Sequence, residues 1–125
     1  MRSYTGDIMR RLSKPPFCGS VREFGKIEHE GASYPMVAVE WVNDGVKPCV
    51  LITAGIHGNE AAGVWALLDF AERTLGTYKG SFDFILLPCM NPAGFEHEVR
   101  TNLNGADLNR NFFSETAERE VVIVK

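Results

Sequence analysis

The sequence predicts an α/β fold, a mixed and largely parallel central sheet with flanking helices. Three observations carry this reading. The run PCVLITA (48–54) is apolar without alternation, as expected of a strand covered on both faces. From Asn59 the apolar spacing becomes helical, with Ala61, Val64, Trp65, Leu68 and Leu75 on one face. FDFILL (82–87) then returns to a strand pattern, and strand–helix–strand implies parallel pairing with a right-handed crossover.

The other elements follow from local chemistry. Ile8, Met9 and Leu12 sit among charged residues at helical spacing, so 4–14 reads as a short amphipathic helix stopped by Pro15-Pro16. Two strands, about 21–28 and 34–42, flank Gly31 and suggest an antiparallel pair. Asn43-Asp44-Gly45 is a turn signal. Asn59 can cap the long helix, and Gly76 marks its end. Residues 91–113 are rich in turn-formers and lack apolar periodicity, which reads as a long polar loop of the kind that carries function. In the tail, Ser114 with Glu115 and Glu118 favours a helix while VVIVK favours a strand; both stay open.

A chain of 125 residues with 45% apolar content supports one modest core, not two domains. A net charge of −3 excludes the basic footprint of a nucleic-acid binder, and Arg10-Arg11 with Lys14 reads as a solvated helix end. Cys18, Cys49 and Cys89 are odd in number and widely spaced, which favours buried reduced thiols over disulfides or a metal cluster. No apolar run approaches the ~20 residues that span a bilayer, and the first residues lack a secretory core. A cytoplasmic protein without a membrane partner is the expectation.

The chemistry begins at His57 and Glu60, an H-x-x-E at the junction of a buried strand and a helix. A tight turn there can aim both side chains beyond the carboxyl end of the sheet, where α/β sites lie. Imidazole nitrogen and carboxylate oxygen are a donor set that suits zinc. The plain alternative is a polar helix start, with Asn59 capping and Glu60 favouring the dipole.

A second element shifts the balance. Residues 91–112 read NPAGFEHEVRTNLNGADLNRNF. With H-x-x-E ahead of it, this order of N-P-x-G-F, Arg and D-x-N-R-N-F resembles the zinc metallocarboxypeptidase family, carboxypeptidase A/B-like. Its form is most similar to the bacterial branch, which includes enzymes that trim peptidoglycan peptides. The resemblance covers about residues 35–113. It implies His57 and Glu60 as metal ligands and Arg100 as the group that polarises the scissile carbonyl and stabilises its oxyanion. It implies Asn109 and Arg110 as the grip on a substrate carboxylate, and Asp107 as the carboxylate that orients the metal-bound His. A guanidinium fork does match a carboxylate, and amide hydrolysis needs a cation where oxygen becomes negative. Without the resemblance, the same stretch could be a hairpin turning at Asn104-Gly105. His29 and His97 read as solvated, and Trp41 and Trp65 as packing.

The family's third metal ligand, a His, and its water-activating Glu come later in the chain than Lys125. The chain also stops inside the apolar VVIVK. The expectation is therefore the N-terminal portion, residues 1–125, of a single catalytic domain, truncated and inactive alone. The implied activity is zinc-dependent hydrolysis of peptide or amide bonds next to a free carboxylate. A second reading is the aspartoacylase/succinylglutamate desuccinylase group, which shares H-x-x-E and D-L-N-R and acts on N-acyl amino acids. N-P-A-G-F and N-R-N-F favour the peptidase branch. A third reading is a non-catalytic peptide-binding remnant. An open sheet edge beside VVIVK predicts self-association.

Overall fold

The computed structural model describes residues 1–14, 19–43, 45–113 and 115–124. The Pro15-Pro16 stop, the Cys18 thiol, Asp44 of the expected turn and the Ser114 cap lie outside the described residues.

Two strands, β1 (Ser20–His29) and β2 (Ala32–Trp41), form the expected antiparallel hairpin. Glu30 (φ 47°) and Gly31 (φ 82°) close it, the paired positive angles that match a two-residue turn to the twist of the strands. The β3 (Cys49–Thr53) to β4 (Asp83–Leu87) connection is helical and the two strands pair in parallel. The sheet is mixed, in the order β1-β2-β4-β3, with β4 antiparallel to β2.

One expectation for β3 is overturned. The strand lies at an edge of the sheet and is not covered on both faces: its residues alternate between exposed and half-buried, and Leu51 is 61% exposed. An unbroken apolar run reports that a strand packs on something, and it is silent about how many neighbours the strand has. Cys49 shares this exposure, so of the two described thiols only Cys89 is buried, its pKa pushed up to about 12 by desolvation.

The connecting helix runs from α2 (Ala62–Asp69) through a π-helical stretch (Phe70–Thr74) into α3 (Leu75–Tyr78). It starts later than Asn59 and passes through Gly76, because Gly58–Ala61 are held in a turn by the site described below. Val64, Leu67, Leu68, Ala71 and Leu75 are buried against the sheet, with Trp65 half-buried on Phe95. At the N-terminus a π-helical turn (Tyr4–Met9) leads into α1 (Arg10–Leu12) and buries Tyr4, Ile8 and Leu12 in the same core. Arg11 is not solvated as expected. It donates to both Glu72 oxygens at 2.8 and 2.9 Å and to Asp69 at 2.7 Å, so it joins the N-terminal segment to the connecting helix.

Residues 91–113 are not a continuous loop. Asn91 accepts from the Gly94 N–H, Pro92 takes the first helical position, and α4 (Pro92–His97) follows with Pro92, Ala93, Gly94 and Phe95 buried. The tail resolves as a helix, α5 (Arg119–Val124), with Val121 buried. On the sheet face beside it, Phe24, Leu51, Ile85, Leu87, Ile123 and Val124 line an open apolar groove.

Candidate metal and active site

The site forms where three backbone segments meet beyond the ends of β3 and β4. The parallel pairing continues past the strands: the Met90 N–H donates to the Ala54 carbonyl and the Asn91 N–H to the Gly55 carbonyl, both at 2.9 Å. His57 and Glu60 then lie on a tight turn, with the Glu60 N–H donating to the His57 carbonyl at 3.1 Å. Gly58 is packed so closely on α4 that an added Cβ would lie 2.0 Å from the Gly94 carbonyl carbon. This contact explains why a glycine follows His57 directly.

Two buried asparagines hold the opposing loop. The Asn91 side chain, fully buried, donates to the Thr101 carbonyl at 3.1 Å and to the Ile56 carbonyl at 3.4 Å. Asn102, 2% exposed, accepts from the N–H groups of Asn104 and Ala106. Together they fix the segment from Arg100 to Asp107 against the His57 turn. Asp107 in turn caps the 3-10 turn Leu108–Arg110, accepting from the Asn109 N–H at 3.0 Å.

Four side chains converge. His57 is 7% exposed, and its Nε2 lies 3.0 Å from Asp107 Oδ1. Its Nδ1 lies 3.4 Å from Glu60 Oε2. Arg100 spans the gap between the carboxylates, with Nε 3.2 Å from Asp107 Oδ2 and Nη1 3.4 Å from Glu60 Oε1. The hydrogen bond from His57 is the main reason the Asp107 pKa is held below its ordinary value, and the Asn109 N–H and Arg100 reinforce it against partial desolvation.

An ionised Asp107 only accepts, so the proton they share belongs on His57 Nε2, and Nδ1 is the ring nitrogen that faces Glu60. The 3.4 Å contact between Nδ1 and the Glu60 carboxylate is closed either by a proton on Nδ1 or by a cation shared between the two. Ligands of a tetrahedral zinc with bonds near 2.1 Å stand about 3.4 Å apart, so the pair fits that ion. Among the described residues no group of three His, Cys, Asp or Glu side chains is arranged to hold a metal.

The structure therefore brings together His57, Glu60, Arg100 and Asp107. Asn109 joins through its backbone N–H. The Arg110 guanidinium stays outside the cluster, exposed, donating to the Asn109 carbonyl at 3.2 Å. His97 is exposed at the end of α4. Sequence reasoning missed Asn91 and Asn102 as supports, although Asn-Pro is itself a helix-start signal and Asn favours local turn bonding. Arg2, whose guanidinium donates to the Gly58 carbonyl at 2.8 Å, left no local signal.

A family profile described as Succinylglutamate desuccinylase/Aspartoacylase catalytic domain matches residues 46–122. Murein peptide amidase A of Escherichia coli K12 is 45% identical over 62 residues, covering 50% of this chain and 24% of that protein. Carboxypeptidase E of Caenorhabditis elegans is 35% identical over 88 residues, covering 53% and 19%. A crystal structure described as a metallopeptidase from Shewanella amazonensis SB2B superposes with a TM-score of 0.73 at 28% identity, covering 97% of this chain and 46% of the other. The carboxypeptidase A of Helicoverpa armigera, at 23% identity, shares the fold with a TM-score of 0.73 over 99% of this chain and 41% of the other. The chain thus spans less than half the length of these relatives. Among the described residues no helix is long and apolar enough to cross a membrane.

Proposed function

Because the chain belongs to the succinylglutamate desuccinylase/aspartoacylase catalytic domain family, we propose that residues 1–125 are the N-terminal portion of one zinc-dependent catalytic domain. Its reaction is the hydrolysis of a peptide or amide bond next to a free carboxylate. One observation carries the reading: Nδ1 of His57 faces the Glu60 carboxylate at 3.4 Å, a tetrahedral ligand spacing. The relatives' names, amidase, carboxypeptidase and metallopeptidase, support the peptidase branch.

His57 through Nδ1 and Glu60 through its carboxylate would hold the metal. Zinc bound there supplies Lewis acidity, polarising a carbonyl and making water nucleophilic near neutral pH. The chain's own residues do the rest. Asp107 keeps the imidazole proton on Nε2 and fixes the ring plane. Arg100, held loosely between two carboxylates, can turn toward a substrate carbonyl and meet the charge that develops on its oxygen. Among the described residues no carboxylate pairs with Arg110, which with Asn109 would receive a substrate carboxylate. With two protein ligands, the isolated chain should hold zinc weakly and turn over little.

A second reading, deacylation of N-acyl amino acids, is favoured by the description of the matching family profile. Both readings use the same residues and differ in substrate. A chimera tests them together: residues 46–122 of this chain, which carry the whole site, replace the corresponding segment of murein peptide amidase A. The chimera should hydrolyse murein peptides and lose that activity on His57→Ala or Glu60→Ala. Turnover of N-acyl amino acids in place of peptides would favour the second reading. A folded chimera with neither activity would argue against both.

A further inference from the structure

The N-terminal segment lies outside the family-matched residues 46–122, yet one of its side chains reaches the turn that carries His57 and Glu60. Arg2 is 23% exposed in its side chain. Its Nη1 donates to the Gly58 carbonyl at 2.8 Å and approaches the Phe95 carbonyl at 3.4 Å. Its guanidinium carbon lies 5.2 Å from the centre of the Phe95 ring, and its Nη2 lies 3.4 Å from Glu98.

Gly58 follows His57 immediately, and its peptide groups are held from two directions. Its N–H donates to the Arg100 carbonyl at 3.4 Å, and its carbonyl accepts from Arg2. Having no side chain, Gly58 owes its orientation to these hydrogen bonds and to backbone contact with α4. The long N–H bond is the weaker restraint and the short charge-assisted bond the stronger.

We propose that Arg2 is a positioning residue for the metal site: by fixing the Gly58 carbonyl it sets the direction of the His57 ring toward Glu60 and Asp107. This rests on the reading that His57 and Glu60 hold a metal. Lysine cannot replace it fully: one ammonium can reach the two carbonyls, but it lacks the second nitrogen that meets Glu98 and the delocalised guanidinium that covers the Phe95 ring. The role belongs to this chain's own N-terminal segment and to no motif in the matched region.

The test uses the whole 125-residue chain with Arg2→Met and Arg2→Lys. Three quantities are measured: zinc affinity against a competing chelator, amide exchange at Gly58, and the His57 Nε2–H proton resonance in metal-free protein. Arg2→Met should weaken zinc by roughly tenfold, the scale on which supporting partners act. It should also speed Gly58 exchange and broaden the His57 resonance, while exchange in the β2–β4 ladder stays at the wild-type rate. Arg2→Lys should fall between, and it decides the matter if the methionine variant unfolds. Faster Gly58 exchange with zinc affinity and His57 resonance unchanged would overturn the proposal, since Arg2 would then be a mere tether. If the wild type shows no zinc binding sensitive to His57→Ala, the metal reading itself falls. The His57 resonance then judges Arg2 alone: broadening in the variant supports it, and an unchanged signal overturns it.

Discussion

The Nε2 of His57 lies 3.0 Å from Oδ1 of Asp107, and this contact decides which ring nitrogen is left for other chemistry. Asp107 is anchored independently by the Asn109 N–H and by Arg100, so it is a fixed acceptor and not a carboxylate that follows the imidazole. Asp107→Asn keeps the shape and removes the charge. It should lower zinc affinity by roughly 10- to 100-fold while leaving the melting temperature nearly unchanged. Competition with a chelator measures the first and thermal unfolding the second; equal zinc affinity in variant and wild type would contradict the orienting role.

A metal held by His57 and Glu60 would compete with Arg100 for the Glu60 carboxylate. In the chimera described above, Arg100→Ala should therefore leave zinc affinity unchanged or slightly higher. It should lower kcat by roughly a hundredfold or more, as expected for loss of a group that meets developing negative charge. Arg110→Ala should act differently, raising KM for carboxylate-bearing substrates with the smaller effect on kcat. A large loss of zinc affinity in Arg100→Ala would assign that residue to the metal site and not to the reaction.

Arg11 offers a test of stability and pH. Its fork on Glu72, with Asp69 beside it, should be worth about 1 kcal/mol, so Arg11→Ala should unfold at slightly lower denaturant. The hydrogen bond from Arg11 is the main cause that holds the Glu72 pKa below its ordinary value of 4.5. A depressed carboxylate stabilises the fold above its unfolded value, and that contribution disappears as pH falls through the lower, folded one. The gap between wild type and Arg11→Ala should thus be full at pH 7 and close below pH 4.5. A gap that widens on acidification would contradict the ion-pair account.

How far the sequence carried these conclusions depended on range. The β1–β2 hairpin and the β3–helix–β4 unit were legible because turn residues and apolar period are local signals. The motif residues around His57, Arg100 and Asp107 were legible because their order resembles that of the zinc metallocarboxypeptidase family; H-x-x-E alone is equally a polar helix start. The edge position of β3 was not, since PCVLITA carries no information about how many strands flank it. Helix α4 was hidden because Asn91-Pro92 opens turns as well as helices, and six residues are too few to show a period. Arg11 and Arg2 were unreadable for another reason: their partners lie 61 and 56 residues away, so no local pattern predicts them.

The exposed edge has a consequence in solution. Leu51 stands at the middle of the edge strand β3 and lines the apolar groove with Phe24, Ile85 and Leu87. The isolated chain should self-associate by pairing this edge with a second copy, and Leu51→Lys should suppress association without loss of stability. Sedimentation velocity over a concentration series measures this; a monomer throughout would contradict it.

The central claim is that His57 and Glu60 hold a metal with Nδ1 as the bonding nitrogen. Anomalous diffraction at the zinc edge from zinc-soaked crystals tests it most directly. The account predicts one peak bonded to His57 Nδ1 and a Glu60 oxygen, with the His57 Nε2–Asp107 contact intact. A peak on Nε2, a peak that excludes Glu60, or no peak at this site would contradict it.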